Sequence, residues 1–254
     1  MKKKIVIFSG AGISRESGIL TFRDCKDGLW NNHKIEDVAT PAGWRKNREA
    51  VLGFYNERRR QLPDVQPNDA HKALALLEDE FDVTVITQNV DDLHERGGSK
   101  NIIHLHGELT KARGCMYDHK PSPADNVVDI GYNDINIGDK CSVTDSQLRP
   151  HIVWFGEFPF GVDAAYKAVY DADILLIVGT SLQITYTIDM LNNVRHLSFE
   201  TDPSTGNKPA CKVIYIDPTP DKVLDKYGIK IDYIKKGAVE GVTEVVNKIL
   251  NNEI

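Results

Sequence analysis

At 254 residues, 41% hydrophobic and 27% charged, the chain is long enough to bury a large core in one or two domains. A formal net charge of −6, with no basic block beyond Arg58-Arg59-Arg60, points away from direct nucleic acid binding. The apolar run behind Met1-Lys2-Lys3-Lys4 is too short for a secretory peptide, and no stretch reaches membrane-spanning length, so the expectation is a cytoplasmic protein with no membrane partner. The four cysteines, Cys25, Cys115, Cys141 and Cys211, form no C-x-x-C pair and read as free thiols of a reducing compartment.

In chain order, residues 5–8 form the first short Val/Ile-rich run, stopped by Gly10-Ala11-Gly12. Residues 24–62 contain no good strand and end in a helical pattern over 50–62. Pro67-Asn68-Asp69 is predicted to cap a helix over 69–80. Strands are predicted at 83–87 and 102–105, and a polar, weakly periodic stretch fills 111–149. A helix over 161–170, strands over 174–178 and 213–216, and a helix over 239–250 complete the pattern. Strands alternating with helices predict an α/β fold, a doubly wound, Rossmann-like parallel sheet. The two segments that break the alternation are read as inserts, giving a large domain from about 1–30, 64–110 and 149–254 and a small one from about 31–63 and 111–148.

Polar sets follow four of the strands, where ligands of open parallel sheets bind. Gly10-Ala11-Gly12 permits a tight turn and lets backbone amides approach a diphosphate at a helix N-terminus. The full G-x-G-x-x-G fingerprint is absent, because Arg15 holds the third position, and no second strand with an acidic end follows. The other sets are Thr87-Gln88-Asn89-Val90-Asp91-Asp92-Leu93-His94, His104-Leu105-His106-Gly107-Glu108 and Gly179-Thr180-Ser181. Each alone has a plainer reading as a cap, a strand-to-helix turn or a structural histidine.

Together the blocks "GAGIS" with "ESGILTFRD", "TQNVDDLHERGGS", "HLHGEL", "RPHIVWFGE" and "GTSL" closely resemble the sirtuins, NAD-dependent protein-lysine deacylases. "GFYNERRRQL" brings the resemblance nearest to the bacterial class III branch, which removes succinyl as well as acetyl groups. The resemblance implies that NAD is consumed: an acyl group leaves a lysine of a protein or peptide, giving nicotinamide and O-acyl-ADP-ribose. It implies that Gly10, Ala11, Gly12 and Ile13 hold the diphosphate, and that Phe22 and Arg23 close over the nicotinamide ribose and exclude water. Gln88, Asn89, Val90 and Asp91 would line the nicotinamide pocket; Gly179, Thr180, Ser181, Asp217 and Ala238 would contact the adenosine side. His106 would be the general base, taking a proton from a ribose hydroxyl after nicotinamide has left, while His104 is expected to face away from it. Val153, Phe155 and Gly156 would lie on a strand that pairs with the substrate backbone. Tyr55 and Arg58, spaced i, i+3 on one helix face, would hold an acidic acyl group; the plainer reading is a solvated helix face continued by Arg59 and Arg60.

The chain departs from that pattern in three places. Only Cys115 and Cys141 stand where most sirtuins place two C-x-x-C pairs, so no structural zinc is expected. Ile184-Thr185-Tyr186-Thr187 replaces a usual Pro-Ala pair, and Asp217 stands where an Asn is common. The competing readings are a mono-ADP-ribosyltransferase, opposed by Tyr55/Arg58 and "VWFGE", and a non-catalytic NAD-binding module, opposed by the presence of His106, Asn89 and Asp91. A dehydrogenase is opposed by the missing acidic second strand.

Overall fold

The computed structural model describes residues 2–19, 29–30, 33–117, 120–121, 126–194 and 210–254. Strand β1 (Lys4–Ser9) runs into two short 3-10 turns, Ala11–Ile13 and Arg15–Ser17. An antiparallel pair, β2 (Leu29–Trp30) and β3 (His33–Lys34), precedes α1 (Ile35–Val38), α2 (Pro41–Lys46) and α3 (Arg48–Gln61). Then come α4 (Asp69–Leu76), β4 (Asp82–Thr87), α5 (Leu93–Gly97) and β5 (Ile102–His104). Five short strands follow: β6 (Gly107–Arg113), β7 (Cys115–Tyr117), β8 (Lys120–Pro121), β9 (Val127–Asp129) and β10 (Arg149–Ile152). The chain closes with α6 (Val162–Asp171), β11 (Ile174–Val178), α7 (Thr185–Asn192), β12 (Lys212–Ile216), β13 (Ile231–Ile234) and α8 (Ala238–Leu250).

The main sheet is parallel throughout, in the order β13-β12-β11-β1-β4-β5. From β1 the chain builds outward through β4 and β5, then crosses back to β11 and builds the other way. The reversal therefore falls between β1 and β11, and it leaves a crevice at their carboxyl ends. Alternation along β1 supplies both faces: Ile5 and Ile7 join the core under α4 and α8, while Val6 and Phe8 join the core under α6 and α7. Helix α8 lays Ala238, Val242, Val245, Val246 and Ile249 on the first core at helical spacing. Each fully buried Val or Ile side chain contributes about 1.5–3 kcal/mol of hydrophobic stabilisation. A Cβ on Gly241 would meet Ile216 Cγ2 at 2.4 Å, so glycine is what lets α8 lie this close to β12.

The doubly wound sheet is the one the sequence predicts; several elements were not anticipated, among them α1, α2, α5, α7, β13, the β2–β3 pair and the short strands β6 to β10. Helix α7 holds Thr185, Thr187 and Ile188, β-branched residues that disguise a helix, and packing of Met190 and Leu191 in the second core overrides them. Strand β13 is a short edge strand, tied outward by a Lys212–Asp232 ion pair. The segment over 24–62 contains the small β2–β3 pair.

A third core joins Val38, Trp44, Val51, Leu52, Phe54, Tyr55 and Leu62 to Leu109, Ala112, Ile135, Ile152 and Trp154. Beside it β10, β6 and β9 form an antiparallel sheet. What holds this region is the polar side of α3. Arg59 is fully buried, not solvated: its Nε donates to Leu109 O at 2.5 Å and its Nη1 to Asn56 Oδ1 at 2.6 Å. Asn56 brackets the backbone of a single residue, donating to Ile135 O at 2.9 Å and accepting from Ile135 N–H at 3.0 Å. Arg60 pairs with Asp134 next to it. Asn56→Ala strands the buried groups of Ile135 and one N–H of Arg59, so it is expected to lower unfolding stability by about 2–4 kcal/mol, read as a shifted denaturant midpoint.

Candidate active site

At the sheet reversal two turns interlock. Gly12 N–H donates to Gly179 O at 2.8 Å, Gly10 N–H to Val178 O at 3.0 Å, and Gly179 N–H to Ile216 O at 3.0 Å. A Cβ on Gly12 would lie 2.6 Å from Gly179 Cα, and one on Gly179, whose φ is +60°, would lie 2.5 Å from Ile13 N. Glycine is thus required by the approach of the two backbones to each other. The expected helix start is absent: Ala11–Ile13 is a single 3-10 turn, and Asn68, which caps α4, also donates to Ile13 O at 2.8 Å and Ser17 Oγ at 3.0 Å. Thr180 is held by Tyr215, whose hydroxyl donates to Thr180 O at 2.6 Å. Ser181 is half-buried, next to it at the end of β11.

Behind β4, Gln88 Nε2 donates to Thr180 Oγ1 at 3.0 Å, linking the two sides of the crevice. Ser14 is the hub of the buried side: it accepts from Asn89 Nδ2 and donates to Asp91 Oδ2, both at 3.0 Å. Asp91 Oδ1 accepts from Leu93 N–H at 3.1 Å. Burial nevertheless outweighs these bonds and pushes the Asp91 carboxyl up to about 6. Val90 accepts from Leu109 N–H at 2.8 Å, which ties the loop to β6. Beneath lies a second polar layer: His94 Nε2 meets Ser9 Oγ at 2.9 Å, and Ser9 donates to Thr87 Oγ1 at 2.9 Å. Burial holds His94 far below the usual imidazole range and His71, edge-on to it at 5.0 Å, down to about 4, so both are neutral.

His106 follows β5 across a turn. Strand alternation alone would set His104 and His106 on one face, but β5 ends at His104 and the turn separates them. His104 bonds Glu95 at 2.6 Å, whereas His106 Nδ1 lies 2.8 Å from Gln88 O and its Nε2 lies 2.6 Å from the Tyr186 hydroxyl. A carbonyl can only accept, so Nδ1 carries the proton and Nε2 is the basic nitrogen. Burial lowers the His106 pKa, opposed by the bond to Gln88. Glu95, His104 and Glu108 put three ligand-type atoms within 4.8 Å, but Glu95 pairs with His104 and Lys111 Nζ donates to Glu108 at 2.8 Å, so the group is satisfied as an ion-pair chain.

The segment expected to pair with the substrate backbone lies just beyond β10, which stops at Ile152; residues 155–156 turn, and Glu157 N–H donates to Trp154 O. Its order comes from a buried ion group. Arg149 binds Glu157 in fork fashion at 2.7 and 3.0 Å and lies flat on the Trp154 ring, and Arg113 approaches the same carboxylate at 3.5 Å. Both members of the Arg149–Glu157 pair stand in the quoted "RPHIVWFGE" block, yet nothing in their spacing marks them as partners. Val153 N–H donates to His106 O at 2.9 Å; Phe155 is exposed, and Gly156 sits at φ +91°. Trp154 Nε1 donates to the Tyr55 hydroxyl at 3.1 Å. Tyr55 is buried, and Arg58 is nearly so, its guanidinium stacked 3.3 Å over Phe54 and donating to Phe54 O. The two are close enough for the Arg58 charge to act on the Tyr55 phenol, although burial dominates and raises its pKa.

Asp217 and Ala238 stand further along the sheet. Asp217 closes its own turn by accepting from Thr219 N–H at 2.8 Å, and Ala238 opens α8, whose next amide is capped by Glu16 at 2.9 Å. Phe22 and Arg23 lie outside the described residues.

A parallel sheet with a glycine turn at its reversal and a buried acid–base set behind it defines a Rossmann-like, nucleotide-binding class of α/β protein. The chain belongs to the Sir2 family, whose model matches residues 10–186. An NAD-dependent protein deacylase of Helicobacter pylori (strain ATCC 700392 / 26695) is 51% identical over 207 residues, 81% of this chain and 86% of that protein. One of Bacteroides thetaiotaomicron is 43% identical over 243 residues, 96% of each. Of the solved structures, a Sir2 homologue–NAD complex aligns with a TM-score of 0.76 at 34% identity, covering 99% of this chain and 91% of that one. A mutant Sir2 homologue in complex with ADP-ribose aligns with a TM-score of 0.77 at 34% identity, covering 99% and 94%.

Ionised Asp91 is held in place against its own preference. Its folded pKa, about 6 against an ordinary 3.8, means the native state binds the extra proton, so stability falls as pH rises from about 4 to 6. Asp91→Asn is expected to raise unfolding stability at pH 7 by about 1–3 kcal/mol and to flatten that part of the stability–pH curve, as measured by urea titration at several pH values.

Proposed function

We propose that this chain is an NAD-dependent protein deacylase that favours acidic acyl groups on lysine and works in the cytoplasm. The observation that carries the reading is His106: its proton is fixed on Nδ1 by Gln88, whose neighbour Asn89 is joined to Asp91 through Ser14, and Nε2 is left as the basic nitrogen. When bound, NAD supplies an activated ribose carbon and a nicotinamide leaving group. The donor set suits it. Gly10, Ala11, Gly12 and Ile13 would hold the diphosphate in the turn beside Gly179, with Thr180 and Ser181 on the adenosine side and Asp217 and Ala238 beyond them. Gln88, Asn89, Val90 and Asp91 would orient the nicotinamide end, with Phe22 and Arg23 covering it. His106 would hold the ribose proton at Nε2, and its lowered pKa keeps the imidazole neutral and ready near pH 7.

The acyl-lysine peptide would enter along Val153, Phe155 and Gly156. That segment shares backbone with His106 through the Val153 bond and meets Tyr55 through Trp154. The acyl chain would then pass His106 and end at Tyr55 and Arg58. A phenol accepts and donates at once, so the indole bond leaves Tyr55 its proton for a carboxylate. Free cysteines at 115, 141 and 211 suit a reducing compartment.

The reading includes a fold without zinc. Cys115 and Cys141 supply two thiols where a structural site needs four strong ligands. Ser146 closes the region instead: its Oγ accepts from Cys115 N–H at 2.8 Å and bonds Thr144 Oγ1 at 2.7 Å, and its carbonyl accepts from Cys141 N–H at 2.8 Å. Elemental analysis of chelator-free protein should find no stoichiometric zinc; one zinc per chain would defeat this part of the proposal.

Mass analysis of products from NAD and a succinyl-lysine peptide tests the activity, since ADP-ribosylation of the peptide would mark transfer instead. Arg58→Met keeps the length and apolar stem of the side chain and removes the guanidinium that stacks on Phe54. It is expected to cut desuccinylation kcat/KM by about tenfold to a hundredfold, the worth of one charged hydrogen bond, and to leave deacetylation within about twofold. Equal losses on both peptides would assign Arg58 to the fold.

A further inference from the structure

The nitrogen of His106 that must accept a proton is already engaged. Its Nε2 lies 2.6 Å from the Tyr186 hydroxyl, with the rings edge to face at 84°. Since Nδ1–H is committed to Gln88 O, Nε2 offers only a lone pair, and the phenol must be the donor. A lone pair accepts one strong hydrogen bond, so a substrate hydroxyl cannot reach it while the phenol is there. Tyr186 is not a mobile ornament. It stands in the first turn of α7, its ring packs against the core formed by α6 and α7, and Met190, one turn on, is fully buried. Ile184 carries the extended backbone that precedes the helix, and Thr187 Oγ1 donates back to Ile184 O at 2.7 Å, which fixes the start of the turn and hence where Tyr186 projects. The phenol oxygen has a second face, and the side chain is only half-buried.

We propose that Tyr186 is the proton relay of this site: the ribose hydroxyl gives its proton to the Tyr186 oxygen while the Tyr186 hydroxyl proton passes to His106 Nε2. The ribose O–H bond breaks as a new phenol O–H forms, the old phenol O–H breaks as Nε2–H forms, and Tyr186 ends neutral with the positive charge on the imidazole. No free phenolate arises, which matters because burial raises the phenol pKa and makes the anion costly. The relay rests on the reading of His106 as the base.

Two measurements on Tyr186→Phe test it, one without NAD. In the free protein, accepting a hydrogen bond stabilises neutral His106, so its loss should raise the His106 pKa by about half a unit to one unit in an NMR titration. With NAD and acyl-peptide, deacylation kcat should fall about 10- to 100-fold, while exchange of labelled nicotinamide into NAD, which needs only the earlier step, stays near wild type. The wild-type rate in mixed H2O/D2O should bow as for two protons in flight, and that of Tyr186→Phe should be linear. Wild-type or faster turnover in Tyr186→Phe, an unmoved His106 titration, or a parallel loss of exchange and deacylation would each overturn the relay. His106→Ala separates the layers: retained turnover there sinks the base itself, whereas an inactive His106→Ala beside a fully active Tyr186→Phe sinks only the relay.

Discussion

The backbone-on-backbone contact between Gly12 and Gly179 is the constraint on which the rest of the site depends. Where the sheet changes direction, the turn after β1 and the turn after β11 approach until no Cβ fits between them. That approach sets Thr180 against Gln88, and Gln88 in turn presents the carbonyl that orients His106. Loosening the glycine contact would move three strand ends at once, because each is hydrogen-bonded to the next through Ser9, Gln88 and Leu105 backbone groups.

A second feature is the depth of polar groups behind that contact. Ser14, Asn89 and Asp91 form one buried layer, and Ser9, Thr87 and His94 another. Such layers are costly unless every partner is present, and a buried ionised carboxylate is costly even then. Two apolar cores, one on each face of the sheet, carry enough burial to tolerate the cost.

A short path links the third core to His106. His106 O holds Val153, the Arg149–Glu157 pair holds Trp154, and Trp154 holds Tyr55. A fork-bonded pair buried this fully has little freedom to relax, and removing one partner of such a pair costs about 3–5 kcal/mol. The proposed base and the proposed acyl-group residues are therefore held at a common distance, although they belong to different cores.

Five of the six strands of the main sheet, helices α3, α4, α6 and α8, the glycine turn and the candidate residues His106, Asn89, Asp91, Tyr55 and Arg58 were legible in the sequence, because hydrophobic period and short polar motifs are local signals. Helix α7 was not, since its β-branched residues argue against a helix that only core packing imposes. Nor was the pairing of Arg149 with Glu157, which brings Glu157 back onto Arg149 and Trp154. Arg59 looked like surface charge beside Arg58 and Arg60, yet it is sealed under Leu109 by a contact fifty residues along the chain. By itself the sequence determined the class of sheet, the family and the chemical groups available. Only the tertiary structure decided which nitrogen of His106 carries the proton, that Ser14 joins Asn89 to Asp91, and that Tyr186 reaches His106. Each of those pairings closes across a long sequence separation, where angles and distances are set by packing and not by any local pattern.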